Sequence, residues 1–133
     1  MFEWKPIYSI GVAQYDEQHK RLFTIAQTLY DAMSAGQGRV VLNEIFDELI
    51  DYTRTHFASE EALMTRYAYP DYETHRLQHE DLTRQVVELR DKYRNGQIAL
   101  SITVMNFLKD WLRNHIYESD KRYGQFLNQK GVR

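Results

Sequence analysis

The sequence predicts an all-α protein, an up-down-up-down antiparallel four-helix bundle with an ordered N-terminal arm and a short C-terminal helix. Three observations carry that prediction. Only six Gly and two Pro occur in 133 residues, while 43% of the chain is hydrophobic; helix-favouring Leu, Ala, Gln, Glu, Lys and Arg are abundant, so long helices are favoured over a turn-rich sheet. Apolar residues recur at three- and four-residue spacing through four long stretches. The breaks between those stretches are short, which makes successive helices antiparallel neighbours. A single domain over residues 1–133 accounts for the length.

Residues 1 to about 11 hold aromatic and turn-favouring side chains (Phe2, Trp4, Pro6, Tyr8, Gly11) without helical periodicity and read as an arm packed along the bundle. Asp16, as a cap or first-turn acid, opens the first helix, whose stripe is Leu22, Phe23, Ala26, Leu29, Tyr30 and Met33 before Gly36 and Gly38. His19 precedes that stripe by one turn. The second helix starts near Arg39 and carries Leu42, Ile45, Leu49, Tyr52 and Thr53, and its stripe continues through His56, Glu60 and Met64. Tyr69-Pro70-Asp71 breaks the chain, and Asp71 and Glu73 place negative charge at the next helix start.

The third stripe is His75, His79, Leu82, Val86, Leu89 and Tyr93, ended by Asn95-Gly96. The fourth helix starts between about Gln97 and Ser101 and is expected to bury Val104, Phe107, Leu108, Trp111, Leu112, His115 and Ile116. Asp120 to Asn128 reads as a short last helix.

All five histidines fall on or beside these stripes. His56 with Glu60, and His75 with His79, are four residues apart and share a helix face. In an antiparallel bundle, the start of helix one, the end of helix two, the start of helix three and the end of helix four meet at one end. His19, His56, Glu60, His75, His79 and His115 therefore converge. Asp120 fits less well: five residues advance the wheel by roughly 140° beyond a full turn, so His115 and Asp120 converge only if the helix kinks, ends or tightens between them. Its neighbours Glu118, Lys121 and Arg122 equally fit an exposed charge run. Glu61, about 100° around the wheel from Glu60, reads as a solvated acid.

Burying five imidazoles and two carboxylates without a compensating cation costs several kcal/mol, so the pattern points to metal. The donors exceed one tetrahedral zinc site and are too rich in nitrogen for calcium or magnesium. Two ions sharing bridging carboxylates fit better. Zero cysteines exclude thiolate sites, iron–sulfur clusters and cysteine nucleophiles; imidazole with carboxylate suits iron, while manganese, cobalt or zinc can enter the same cage. Leu22, Phe57, Trp111, Leu112 and Ile116 lie one to four residues from a ligand candidate and are either plain core or an apolar wall over the metals. Tyr123, one turn after Asp120, is placed to support a ligand; most of the other tyrosines read as packing residues with exposed hydroxyls.

A net charge of -2 with interspersed signs gives no footprint for nucleic acid. The N-terminal residues lack a secretory pattern and no apolar run reaches membrane-spanning length, so a cytoplasmic protein without membrane insertion is expected.

Taken in order, Asp16-Glu17-Gln18-His19 with Leu22-Phe23, His56-x-x-x-Glu60-Glu61 with Met64, His75-x-x-x-His79, and Trp111-Leu112-x-x-His115-Ile116-x-x-x-Asp120 resemble hemerythrin, in particular the single-domain bacterial members. The resemblance implies a non-haem di-iron centre, two iron ions (Fe2+/Fe3+) with a bridging oxo or hydroxo group. His75, His79 and His115 would hold one iron, His19 and His56 the other, with Glu60 and Asp120 bridging. The two-histidine iron would keep an open position for dioxygen. The function implied is reversible dioxygen binding for transport, storage or delivery, in a monomer whose partners are dioxygen and an oxygen-using enzyme or a reductant. Alternatives are an oxygen- or redox-sensing module acting on a separate partner, and a di-iron oxidase or peroxidase; the latter bundles use several Glu and a Glu-x-x-His pattern, which the histidine-dominated set here lacks, so no enzyme is expected. Tyr117 puts a bulky phenol between the last two ligand candidates and is expected to alter access or autoxidation.

Overall fold

Four amphipathic stretches become four long helices in the computed structural model, which describes residues Met1–Arg133. They are α1 (Ala13–Ser34), α2 (Arg39–Arg66), α3 (Tyr72–Arg94) and α4 (Ile102–His115); α4 runs through a π-helical segment, Ile116–Asp120, into α5 (Lys121–Gln129). No strand forms. α1 packs on α2, α2 on α3, and α4 returns against α1, giving an antiparallel up-down-up-down bundle. No helix is long and apolar enough to cross a membrane.

The helix ends follow local chemistry. α1 and α3 close with Gly36 (φ 73°) and Gly96 (φ 75°) in the left-handed region. In each case the next amide reaches back five residues, Gln37 to the Ala32 carbonyl and Gln97 to the Lys92 carbonyl, which satisfies otherwise free carbonyls at the helix end. α2 ends the same way on Ala68 (φ 53°), where a side chain occupies a conformation that glycine tolerates better. α4 starts on Ser101, whose hydroxyl accepts the Val104 amide. Asp16 acts inside the first turn of α1, accepting the Ile10 amide at 2.9 Å and the Ser9 hydroxyl.

The arm is built into the bundle. Phe2, Tyr8 and Ile10 are buried, the Phe2 amide donates to Gln27 at 2.7 Å, and Pro6–Tyr8 forms one 3-10 turn that the missing periodicity did not foretell. Where the arm crosses α5, a Cβ on Gly124 would lie 2.0 Å from the Ile10 carbonyl oxygen, so only glycine allows this approach. Asn128 then donates to the Gly11 carbonyl.

Two packing expectations change. Phe46 and Ile50 are fully buried on α2, whereas Ile45 and Tyr52 are half-buried. On α4 the buried set is Met105, Leu108, Trp111 and Leu112, while Phe107 is 41% exposed and Val104 half-buried. Phe107 lies one residue, about 100°, from Leu108, which turns it out of the buried arc and into the groove beside Leu89.

Candidate metal centre

Seven polar side chains meet at the end of the bundle where α1 starts, α2 ends, α3 starts and α4 ends. His19, Glu60 and Asp120 have no exposure, His56, His75 and His79 are buried, and His115 is nearly so. They form two overlapping groups: His19, His56, Glu60 and Asp120 in one, and His75, His79, His115, Glu60 and Asp120 in the other. Glu60 and Asp120 belong to both. His115 and Asp120 meet because the helix widens. The π-helical segment Ile116–Asp120 accommodates one more residue per turn, and the Asp120 carboxylate comes within 3.2 Å of His115 Nε2. Widening, rather than the expected kink, end or tightening, joins this pair.

The donor atoms face one another at short range. Asp120 oxygens lie 3.1 Å from His19 Nε2 and 3.0 Å from His75 Nε2, and Glu60 Oε1 lies 2.7 Å from His56 Nε2 and 3.8 Å from His79 Nε2. None of these contacts has hydrogen-bond geometry: the Nε2 atoms of all five histidines and all four carboxylate oxygens are buried without a partner. Native interiors rarely leave so many polar atoms unpaired. The imidazole planes are steeply inclined, with centroids 4.7 Å apart for His19 and His56 and 4.6 Å for His75 and His79. Around a cation with bonds of about 2.1 Å, adjacent donors sit about 3 Å apart, which is the spacing found here. The residues present therefore fit metal ions.

The electrostatics agree. Burial, with the Asp120 charge adding to it, pushes the Glu60 carboxyl up to about 8, so without a cation this side chain holds a proton. Burial lowers His56 to about 4 and His79 far below its ordinary value, keeping both imidazoles neutral, the form that binds metal. Burial opposes ionisation of Asp120 as well, but His115 overcomes it, aided by His19 and His75, and the carboxyl is held well below the usual range. The same pairing raises His115 against its own burial.

Other side chains hold the donors in place. Glu61 lies 2.9 Å from His79 Nδ1, and the Gln18 carboxamide oxygen lies 2.6 Å from His56 Nδ1. Glu61 is thus more than a solvated acid. Gln18 stands in the segment Asp16-Glu17-Gln18-His19 that carries the family resemblance, but spacing gives it no role of its own. The buried hydroxyl of Tyr123 donates to the Glu60 carbonyl, and that of Tyr15 to the Ser59 carbonyl, both at 3.1 Å. These two hydroxyls are used inside the fold, and Tyr15 joins Tyr123 in a supporting place that spacing did not single out.

Beside His19, His56, His115 and Asp120 lies a cavity of about 10 Å³ with an apolar wall of Leu22, Phe57, Leu82, Trp111, Leu112 and Ile116, roomy enough for about one water-sized molecule. Five of these wall residues are the ones expected from their spacing to the donors, whereas Leu82 was expected only in the core. Trp111 donates its indole N–H to the Leu82 carbonyl at 3.0 Å, and Phe57 stacks on His79 with centroids 3.8 Å apart. Tyr117 is absent from this wall: it is 51% exposed with Lys121 over its ring. The expected effect on access finds no support in this placement, since the ring stands on the π turn outside the cavity lining.

Comparison with known proteins adds an independent finding. Residues 10–127 match the hemerythrin HHE cation binding domain. The chain is 34% identical over 121 residues to a bacteriohemerythrin of Methylococcus capsulatus, covering 91% of this chain and 92% of that protein. It is 35% identical over 120 residues to a bacteriohemerythrin of Stenotrophomonas maltophilia, covering 90% and 77%. A crystal structure of wild-type hemerythrin superposes with a TM-score of 0.84 at 33% identity, over 94% of this chain and 96% of the other.

Proposed function

The chain belongs to the hemerythrin family, and on that premise we propose that it binds dioxygen reversibly at two iron ions held by His19, His56, Glu60, His75, His79, His115 and Asp120. The observation that carries this reading is the pair of overlapping donor groups, both buried, with Glu60 and Asp120 common to the two. When bound, two ferrous ions supply the reversible electron exchange that dioxygen uptake requires.

The chain's own residues do the rest. Three histidines would hold one ion and two the other, which would leave the two-histidine side a donor short. The apolar cavity is lined by both histidines of that side, His19 and His56, together with His115 of the other. Its wall favours a small uncharged molecule and keeps water and anions away from the donors, because each would lose hydrogen bonds on entering. The indole of Trp111 is fixed in that wall by its hydrogen bond to the Leu82 carbonyl. No nucleophile or acid-base pair faces the cavity apart from the donors themselves, which supports binding over catalysis. We read residues 1–133 as one domain, acting as a monomer in the cytoplasm and handing dioxygen to an oxygen-using enzyme, with a reductant restoring the ferrous form.

The test is optical. Iron-loaded, anaerobically reduced protein should gain charge-transfer bands on admission of dioxygen and lose them on evacuation. Bands that persist after evacuation, or never form, would overturn reversible binding.

A further inference from the structure

Resting on the reading of the site as a two-metal centre, we propose that its two positions are made unequal from outside the donor set. Glu61 is a positioning residue that holds His79 with a charged partner and gives the three-histidine position the stronger hold on a cation. Gln18 gives His56 the same alignment without the charge.

The geometry differs on the two sides. His79 Nδ1–H donates a hydrogen bond to Glu61 Oε2, 2.9 Å away, which leaves the His79 Nε2 lone pair facing Glu60 and the other donors. The Gln18 oxygen accepts in the same way from His56 Nδ1 at 2.6 Å. Both contacts therefore select the tautomer that ligates through Nε2. They differ in charge: a carboxylate behind an imidazole raises its basicity toward a metal more than a neutral amide does. The remaining imidazole of the two-histidine group gets no such help, since His19 Nδ1 is buried without a partner.

Glu61 is free for this role. It makes no other side-chain hydrogen bond, and Arg76, the guanidinium nearest in effect, is bonded to Glu73 and Glu80. Its side chain is 26% exposed, in a groove shared with Arg54, Thr83 and Arg84, so substitution there leaves the buried core intact.

Metal-free full-length chain titrated with Co2+, followed by visible absorption, separates the two positions; His75→Ala marks which binding event belongs to the three-histidine group. Glu61→Ala should weaken that event by roughly 10–100-fold and leave the other near its wild-type value. Glu61→Gln, which keeps the acceptor, should recover part of the loss, and Gln18→Ala should weaken only the other event. In iron-loaded protein, Glu61→Gln should raise the ferric/ferrous midpoint of one iron measured at an electrode, by about 59 mV for each tenfold loss of ferric preference. Wild-type affinities and potentials in both Glu61 variants, or equal losses at both events, would overturn the inference while the metal centre stands. A wild-type chain that takes up no Co2+ would overturn the metal reading and this inference with it.

Discussion

The two ends of the bundle use the same helix stripes for opposite purposes. At the end away from the histidines, the inward positions are Leu29, Leu42, Phe46, Val86, Met105 and Leu108, all buried and apolar. About two to four turns along the same helices, the inward positions become His19, His56, Glu60, His75, His79 and His115, with their donor atoms unpaired. Burial at the apolar end stabilises the fold directly, at about 25 cal/mol per Å² of apolar surface. Burial at the polar end costs free energy until cations compensate it. Stability and function are thus separated along one axis, and the apolar end holds the polar end in a shape it would not adopt alone.

Damage at the apolar end should lower stability and leave the polar end intact. Phe46→Ala removes a fully buried ring and should cost about 3–5 kcal/mol, read as a fall in the denaturation midpoint, yet the metal content per folded chain should remain that of the wild type. A loss of metal in the folded fraction would show that the two ends are not separable.

At the polar end the sign should reverse. Glu60→Gln removes a carboxyl whose ionisation burial and Asp120 oppose, so it should stabilise the metal-free protein at alkaline pH while reducing metal uptake. Because the folded pKa of Glu60, about 8, lies above its ordinary value, its contribution is fully present below the ordinary carboxylate range and is lost as pH rises through about 8. His56 runs the other way: its folded value of about 4 lies below the ordinary one, so its contribution is present above the ordinary histidine range and lost as pH falls through about 4. Metal-free protein should therefore be most stable in the mildly acidic range between. The alkaline decline should vanish in Glu60→Gln, as measured by thermal denaturation across pH; an unchanged decline would assign it to another group.

Smaller effects sharpen the contrast. Ser101→Ala, which removes the cap of α4 at the apolar end, should cost about 1 kcal/mol in chemical denaturation without changing dioxygen uptake. Tyr117→Leu should do least of all: its ring lies outside the cavity wall and half in solvent, so the autoxidation rate should equal that of the wild type.

Much of this layout was readable from residue spacing. Four stripes and three short breaks define the bundle, and chain direction alone brings His19, His56, His75 and His115 to one end. What spacing could not reveal was how a helix departs from its ideal form. The five-residue interval from His115 to Asp120 required a break whose kind was open, and the answer is a widened π turn in which Ile116, Ser119 and Asp120 are buried. Phe107 was misplaced for a related reason: α4 is apolar over a broad arc, and the neighbours, not the sequence, choose which part is covered. Gln18 and Glu61 touch histidines on other helices, so their role emerges only once α1, α2 and α3 are docked.

The most direct test of the two-ended account is the number of iron ions retained per folded chain after anaerobic loading and removal of excess metal, measured together with the denaturation midpoint. Two irons per chain with a raised midpoint is the expected result, because two ions compensate the buried charge that one end of the bundle carries. One iron, or none, with an unchanged midpoint would contradict it.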